Sequence, residues 1–136
     1  MKKHRPSMLL VGRVCLVSIL FLSAMQKLRY SAGTAQYMER MGMPGASEAL
    51  AWAFGIFEFV AGLAILVGWR TRAAALAVVV YLLPVTWYTH LAVAYGTADA
   101  VVRDQETYQV LKNISMIGGL LILAASGPGE HSLEKK

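Results

Sequence analysis

The side chains equipped for chemistry in this sequence are few and set in long apolar stretches: Arg13, Lys27, Glu58, His90, Lys112 and Asn113. Glu58 and His90 can exchange protons, which makes them the candidate catalytic groups; Lys27, Lys112 and Asn113 can donate hydrogen bonds. Gathered into one pocket, they would suit a quinone, whose two carbonyls take hydrogen bonds while His90 or Glu58 relays protons. They would equally suit an anionic small molecule. Each has a plainer alternative. Glu58 can be one half of a structural ion pair, His90 a hydrogen-bonded core residue, and the lysines helix-end groups that stretch toward the lipid headgroups.

Other chemistries are excluded. Cys15 is the one cysteine, so no internal disulfide framework and no Cys-x-x-Cys motif exists. A haem held by two histidines needs both at membrane depth, and only His90 qualifies; His4 and His131 are in the tails. No residues are spaced for zinc or iron, and no glycine-rich phosphate loop is present. The expectation is no metal and no covalently bound cofactor, with a quinone as the candidate bound group.

The elements that must position these residues follow from composition. Of 136 residues, 57% are apolar and 15% charged, against roughly 45–50% and about 25% in soluble domains. Helices are predicted at about 8–27, 49–67, 73–95 and 110–126, each close to the roughly 20 residues that span a bilayer core. None alternates as a strand would. The chain therefore reads as a single all-α integral membrane domain over residues 1–136, a bundle of four transmembrane helices embedded in lipid. A signal peptide is the alternative for the first segment, with Leu22-Ser23-Ala24 as a weak cleavage site. Arg13 and Lys27 argue instead for a retained helix.

The net charge of +5 needs no nucleic acid to explain it. Lys2, Lys3 and Arg5, then Arg70 and Arg72, then Lys135 and Lys136 fall on alternate connections, while residues 26–49 and 96–109 carry most of the acids. Both termini are expected on the cytoplasmic side. Within the first outer connection, residues 37–45 read as a short amphipathic helix ended by Gly42 and Pro44-Gly45. Residues 96–109 read as a solvated loop.

Depth follows from helical rise. Arg13 lies roughly 8 Å and Glu58 roughly 15 Å from the cytoplasmic face, so Arg13 is expected to turn inward and pair with Glu58. Gly55 and Gly62 share the face of Glu58 and allow a neighbouring helix to approach. Lys27, His90, Lys112 and Asn113 converge near the outer ends of their helices. Pro84 is expected to kink the third helix and open space, with Thr86 and Trp87 on the face of His90. A polar cavity opening outward results, with Glu58 at its base and Arg13, Lys27, His90, Lys112 and Asn113 in the ligand-binding set.

The sequence resembles the DoxX family of small four-helix membrane proteins. The resemblance is carried by Arg13 with Phe21-Leu22-Ser23-Ala24-Met25-Gln26-Lys27-Leu28, by Gln36-Tyr37-Met38 and Gly42-Met43-Pro44, and by Glu58-Phe59-Val60-Ala61-Gly62-Leu63 with Gly68-Trp69-Arg70-Thr71-Arg72. It continues through His90, Lys112-Asn113-Ile114-Ser115, Gly118-Gly119 and Ser126-Gly127-Pro128-Gly129. Ala24-Met25 departs from the pattern, since many relatives carry a glycine there. The resemblance implies a bacterial inner-membrane bundle. Some relatives are membrane subunits of quinone-linked oxidoreductases, including thiosulfate:quinone oxidoreductase. Others are linked to complexes with soluble sulfur-transfer and superoxide-handling enzymes.

The function expected is a membrane subunit of a quinone-linked redox system, itself without a redox centre, that offers the pocket to an oxidoreductase partner. The alternatives are a non-enzymatic small-molecule or cargo carrier, and an assembly subunit whose polar residues fix helix register. An oligomer is compatible with each.

Overall fold

The computed structural model describes residues 5–134, with side chains from Ser7 onward. Lys2, Lys3, Lys135 and Lys136 and the side chain of Arg5, which enter the orientation argument, lie outside the described residues. Helix α1 runs Arg5–Arg29, α2 Ser31–Arg40 and α3 Glu48–Val67. Helix α4 runs Thr71–Gly96, α-helical to Thr86, π-helical over Trp87–Leu91 and α-helical again from Ala92. Helix α5 runs Ala100–Ser126. Among the described residues there is no strand.

Local chemistry fixes these ends. The Ser47 side chain accepts from Leu50 N at 3.2 Å and starts α3. Gly68, at φ 74°, ends it in the left-handed region that glycine enters freely. Asp99 accepts from Val101 N at 2.8 Å and Val102 N at 3.2 Å. That cap starts α5 at Ala100, so the expected loop over 96–109 is corrected: most of it is the polar opening of a helix. The amphipathic helix expected at 37–45 begins earlier, at Ser31, and ends at Arg40, with residues 41–45 as its turn.

The chain is an all-α membrane bundle. Helices α1, α3, α4 and α5 are each long and apolar enough to cross a bilayer. Large side chains such as Ile122 (70% exposed) and Val80 (67%) point outward, a surface suited to lipid and not to water. Inside, α1 packs mainly on α3 and α4 mainly on α5. Val17, Leu20, Ile65, Val78, Leu120 and Leu123 belong to the apolar core, and Leu20 also lines the cavity described below. Ala24 lies within α1, five residues before its end, and is fully buried.

Small residues set the α1–α3 approach. A Cβ on Gly55 would stand 2.9 Å from Leu28 Cγ and 3.3 Å from the Ala24 carbonyl oxygen, whereas one on Gly118 would meet nothing within 4 Å. Gly55→Val is therefore expected to lower stability by about 1–3 kcal/mol through overpacking. Gly118→Val should leave it within about 0.5 kcal/mol, as surface changes do. Thermal unfolding of both variants in detergent checks the difference.

Candidate functional site

The half of the bundle away from the termini holds a cavity of about 510 Å³, within the roughly 300–1,000 Å³ typical of ligand sites. Lys27, Glu58, His90, Lys112 and Asn113 all line it. Its base is a closed polar cluster. Glu58 is 4% exposed and accepts from Lys27 Nζ at 3.1 Å on each carboxylate oxygen. Tyr81 Oη donates to Glu58 Oε1 at 2.7 Å. Lys27 also donates to Ser23 Oγ at 2.6 Å, one helical turn back on its own helix. The Tyr81 ring is held by Phe54 and Phe57, with centroids at 5.2 and 5.1 Å. Burial of a charge pair is tolerated here because every polar group in the cluster finds a partner.

The walls carry the other polar groups. His90 Nδ1 lies 2.7 Å from Glu106 Oε2 on α5. Asn113 Nδ2 donates to Thr86 Oγ1 at 2.9 Å, tying α5 to α4. Lys112 Nζ donates to Gln109 Oε1 at 2.5 Å. Helix α2 covers the cavity from the loop side, burying Met38. Tyr37 donates to the Thr89 carbonyl at 3.1 Å. Burial, and then the nearby Glu106 carboxylate, hold the Tyr37 hydroxyl above its usual pKa, so it stays a donor.

Pro84 lies inside α4, shortly before an irregular stretch of the helix. Proline has no N–H to return to the preceding turn, and three residues later α4 becomes π-helical over Trp87–Leu91. The wider turn changes which residues face inward. Val85, Thr89 and His90 line the cavity, while Trp87 points outward at 57% exposure. The expectation that Trp87 shares the face of His90 is corrected by that shift in register.

Arg13 is not where the sequence suggested. It neither pairs with Glu58 nor lines the cavity. It is fully buried at the opposite end of the bundle, donating to the Leu66 carbonyl at 3.0 Å, the Ile65 carbonyl at 3.4 Å and the His131 carbonyl. The last carbonyls of α3 lack partners within the helix and carry its partial negative charge, so they suit a guanidinium. The C-terminal tail closes over this end, with Leu133 N bonded to the Val67 carbonyl and Glu134 N to the Gly68 carbonyl, both at 3.0 Å.

Sequence reasoning missed Tyr81, Gln109 and Tyr37. The signal for Tyr81 was present: a hydroxyl in mid-helix at membrane depth must find a partner, and Glu58 is the acid at that depth. Nothing in the spacing pointed to Gln109 or Tyr37.

Comparison with known proteins places the arrangement in context. The family model DoxX matches residues 8–91, a span that holds Lys27, Glu58, Tyr81 and His90 and stops before Lys112 and Asn113. The chain is similar to the inner membrane protein YqjF of Escherichia coli (strain K12), 38% identical over 99% of this chain and 95% of that protein. It is similar to the inner membrane protein YphA of the same organism, 33% identical over 97% and 91%. It is also similar to the membrane protein Rv3486 of Mycobacterium tuberculosis, 31% identical over 89% and 76%. No solved structure matches the chain.

Proposed function

This chain belongs to the DoxX family, and from that premise we propose that it is the inner-membrane subunit of a quinone-linked redox system, presenting its cavity to a quinone headgroup while a partner oxidoreductase carries out the electron transfer. The observation that supports this reading is the meeting of Lys27, Glu58, Tyr81, His90, Lys112 and Asn113 around one cavity at membrane depth. Polar groups there are costly and mark binding pathways. Hydrogen-bond donors around one cavity suit a flat ring whose carbonyls accept from them. The apolar lining from Phe54, Leu82, Val85 and Met116 suits a hydrocarbon tail. Glu58 with Tyr81 and His90 with Glu106 supply two places where a proton can be held.

The test is binding of a decyl-substituted benzoquinone to the protein in lipid nanodiscs. Saturable binding is expected at one site per chain. His90→Ala removes one neutral hydrogen bond, worth about 0.5–1.5 kcal/mol, and should weaken binding by about 3–10-fold with the melting temperature held. Unchanged binding in His90→Ala, or no saturable binding at all, contradicts the reading.

The orientation belongs to the same proposal. Arg70 and Arg72 lie at the end of the bundle where the tail docks, so both termini sit on the cytoplasmic side and the cavity lies toward the periplasm. A cysteine placed at Ser47 in a Cys15→Ser background should react with a membrane-impermeant maleimide in intact spheroplasts, and one at Ser132 should not. The reverse pattern contradicts the orientation.

A further inference from the structure

Three cations lie at membrane depth on the described helices, and they are satisfied in three different ways. Arg13 is held by backbone carbonyls. Lys27 is held by the Glu58 carboxylate and Ser23. Lys112 donates only to the neutral amide oxygen of Gln109, and among the described residues no carboxylate forms an ion pair with it. Lys112 is exposed; counted back from Ser126 it lies about 21 Å along α5, inside a hydrocarbon layer about 30 Å thick that begins at Ser126. A cation there normally pairs with an acid or serves a ligand.

Glu58 and Glu106 are committed elsewhere. Both Glu58 oxygens accept from Lys27, and one also accepts from Tyr81. Glu106 is taken by His90 and does not line the cavity. The ionised groups that do line it are Lys27, Glu58 and Lys112, two cations against one carboxylate when His90 is neutral. We propose that the cavity selects an amphiphile with an anionic head, and that Lys112 is the group that reads the charge. This rests on the quinone reading for the ring and narrows it to a ring bearing an ionised hydroxyl. The Lys112 ammonium supplies the charge-assisted hydrogen bond, and the apolar lining takes the tail.

The experiment uses three probes with the same decyl tail: a 2-hydroxy-1,4-naphthoquinone, ionised at neutral pH, its neutral 2-methoxy ether, and a simple alkyl carboxylate. Affinities for the full chain in nanodiscs are corrected against empty nanodiscs. The hydroxy compound should bind at least 10-fold more tightly than the ether. Lys112→Gln should bring that ratio to within about 3-fold of one, and Lys112→Arg should retain it, with melting temperatures confirming the fold of both. A ratio near one in the native protein, or a ratio unchanged in Lys112→Gln, overturns the proposal. If neither naphthoquinone binds but the carboxylate does, dependent on Lys112, the charge selection stands and the quinone reading falls. If none of the three binds, both fall.

Discussion

Glu58→Ala should unfold at a much lower temperature than the native protein, because it leaves the Lys27 ammonium buried beside Ser23 without its counter-charge. Breaking one half of a buried pair costs about 3–5 kcal/mol in soluble proteins. Lys27→Ala should cost a similar amount by stranding the carboxylate. The double change removes both charges and should cost much less than the sum. Glu58→Gln keeps an oxygen to accept from Tyr81 and should fall between the native protein and Glu58→Ala. Thermal unfolding of this set in one detergent reads the coupling directly. Strict additivity would mean that Lys27 and Glu58 are not paired in the folded protein.

Arg13→Met should be the second severe substitution, by a separate mechanism. It keeps the apolar stem but removes the donors to the Leu66 and His131 carbonyls, while the Ile65 carbonyl keeps Gly68 N at 3.3 Å. Leaving buried acceptors unpaired costs about 1–3 kcal/mol each. The tail should also lose its anchor, so limited proteolysis should cut within residues 127–134 in Arg13→Met and spare the native protein. Since Arg13 and Glu58 lie at different ends of the core, their effects on stability should add within about 0.5 kcal/mol. Coupling larger than that would restore the direct Arg13–Glu58 pairing that the sequence suggested.

These two expectations mark where the sequence was legible. Four membrane helices could be placed from the apolar runs alone, since a bilayer demands length and continuity more than any local signal. The convergence of Lys27, His90, Lys112 and Asn113 at one depth followed from helical rise. The partner of Glu58 did not. Rise gives depth but no rotation about the helix axis, and Lys27 reaches Glu58 by extending inward from a helix end that α2 covers. Arg13 was misread because a guanidinium was matched to the next acid in depth, when the free carbonyls ending α3 were closer. Trp87 was misplaced because a π turn cannot be read from a 3.6-residue period. The early start of α5 was readable in Asp99, a good cap before Ala100, but the acidic composition of residues 96–109 masked it.

The most direct test of the central claim, that the polar cavity is where a quinone headgroup binds, is photo-crosslinking in membranes. A tailed azidoquinone is added to membranes holding the full chain, irradiated, and the modified residues are mapped by mass spectrometry. The label should fall on cavity residues such as Phe54, Val85 and Met116, and excess unmodified quinone should compete it away. Label confined to outward-facing residues such as Val80, Leu121 and Ile122, or label that excess quinone does not displace, would contradict the account.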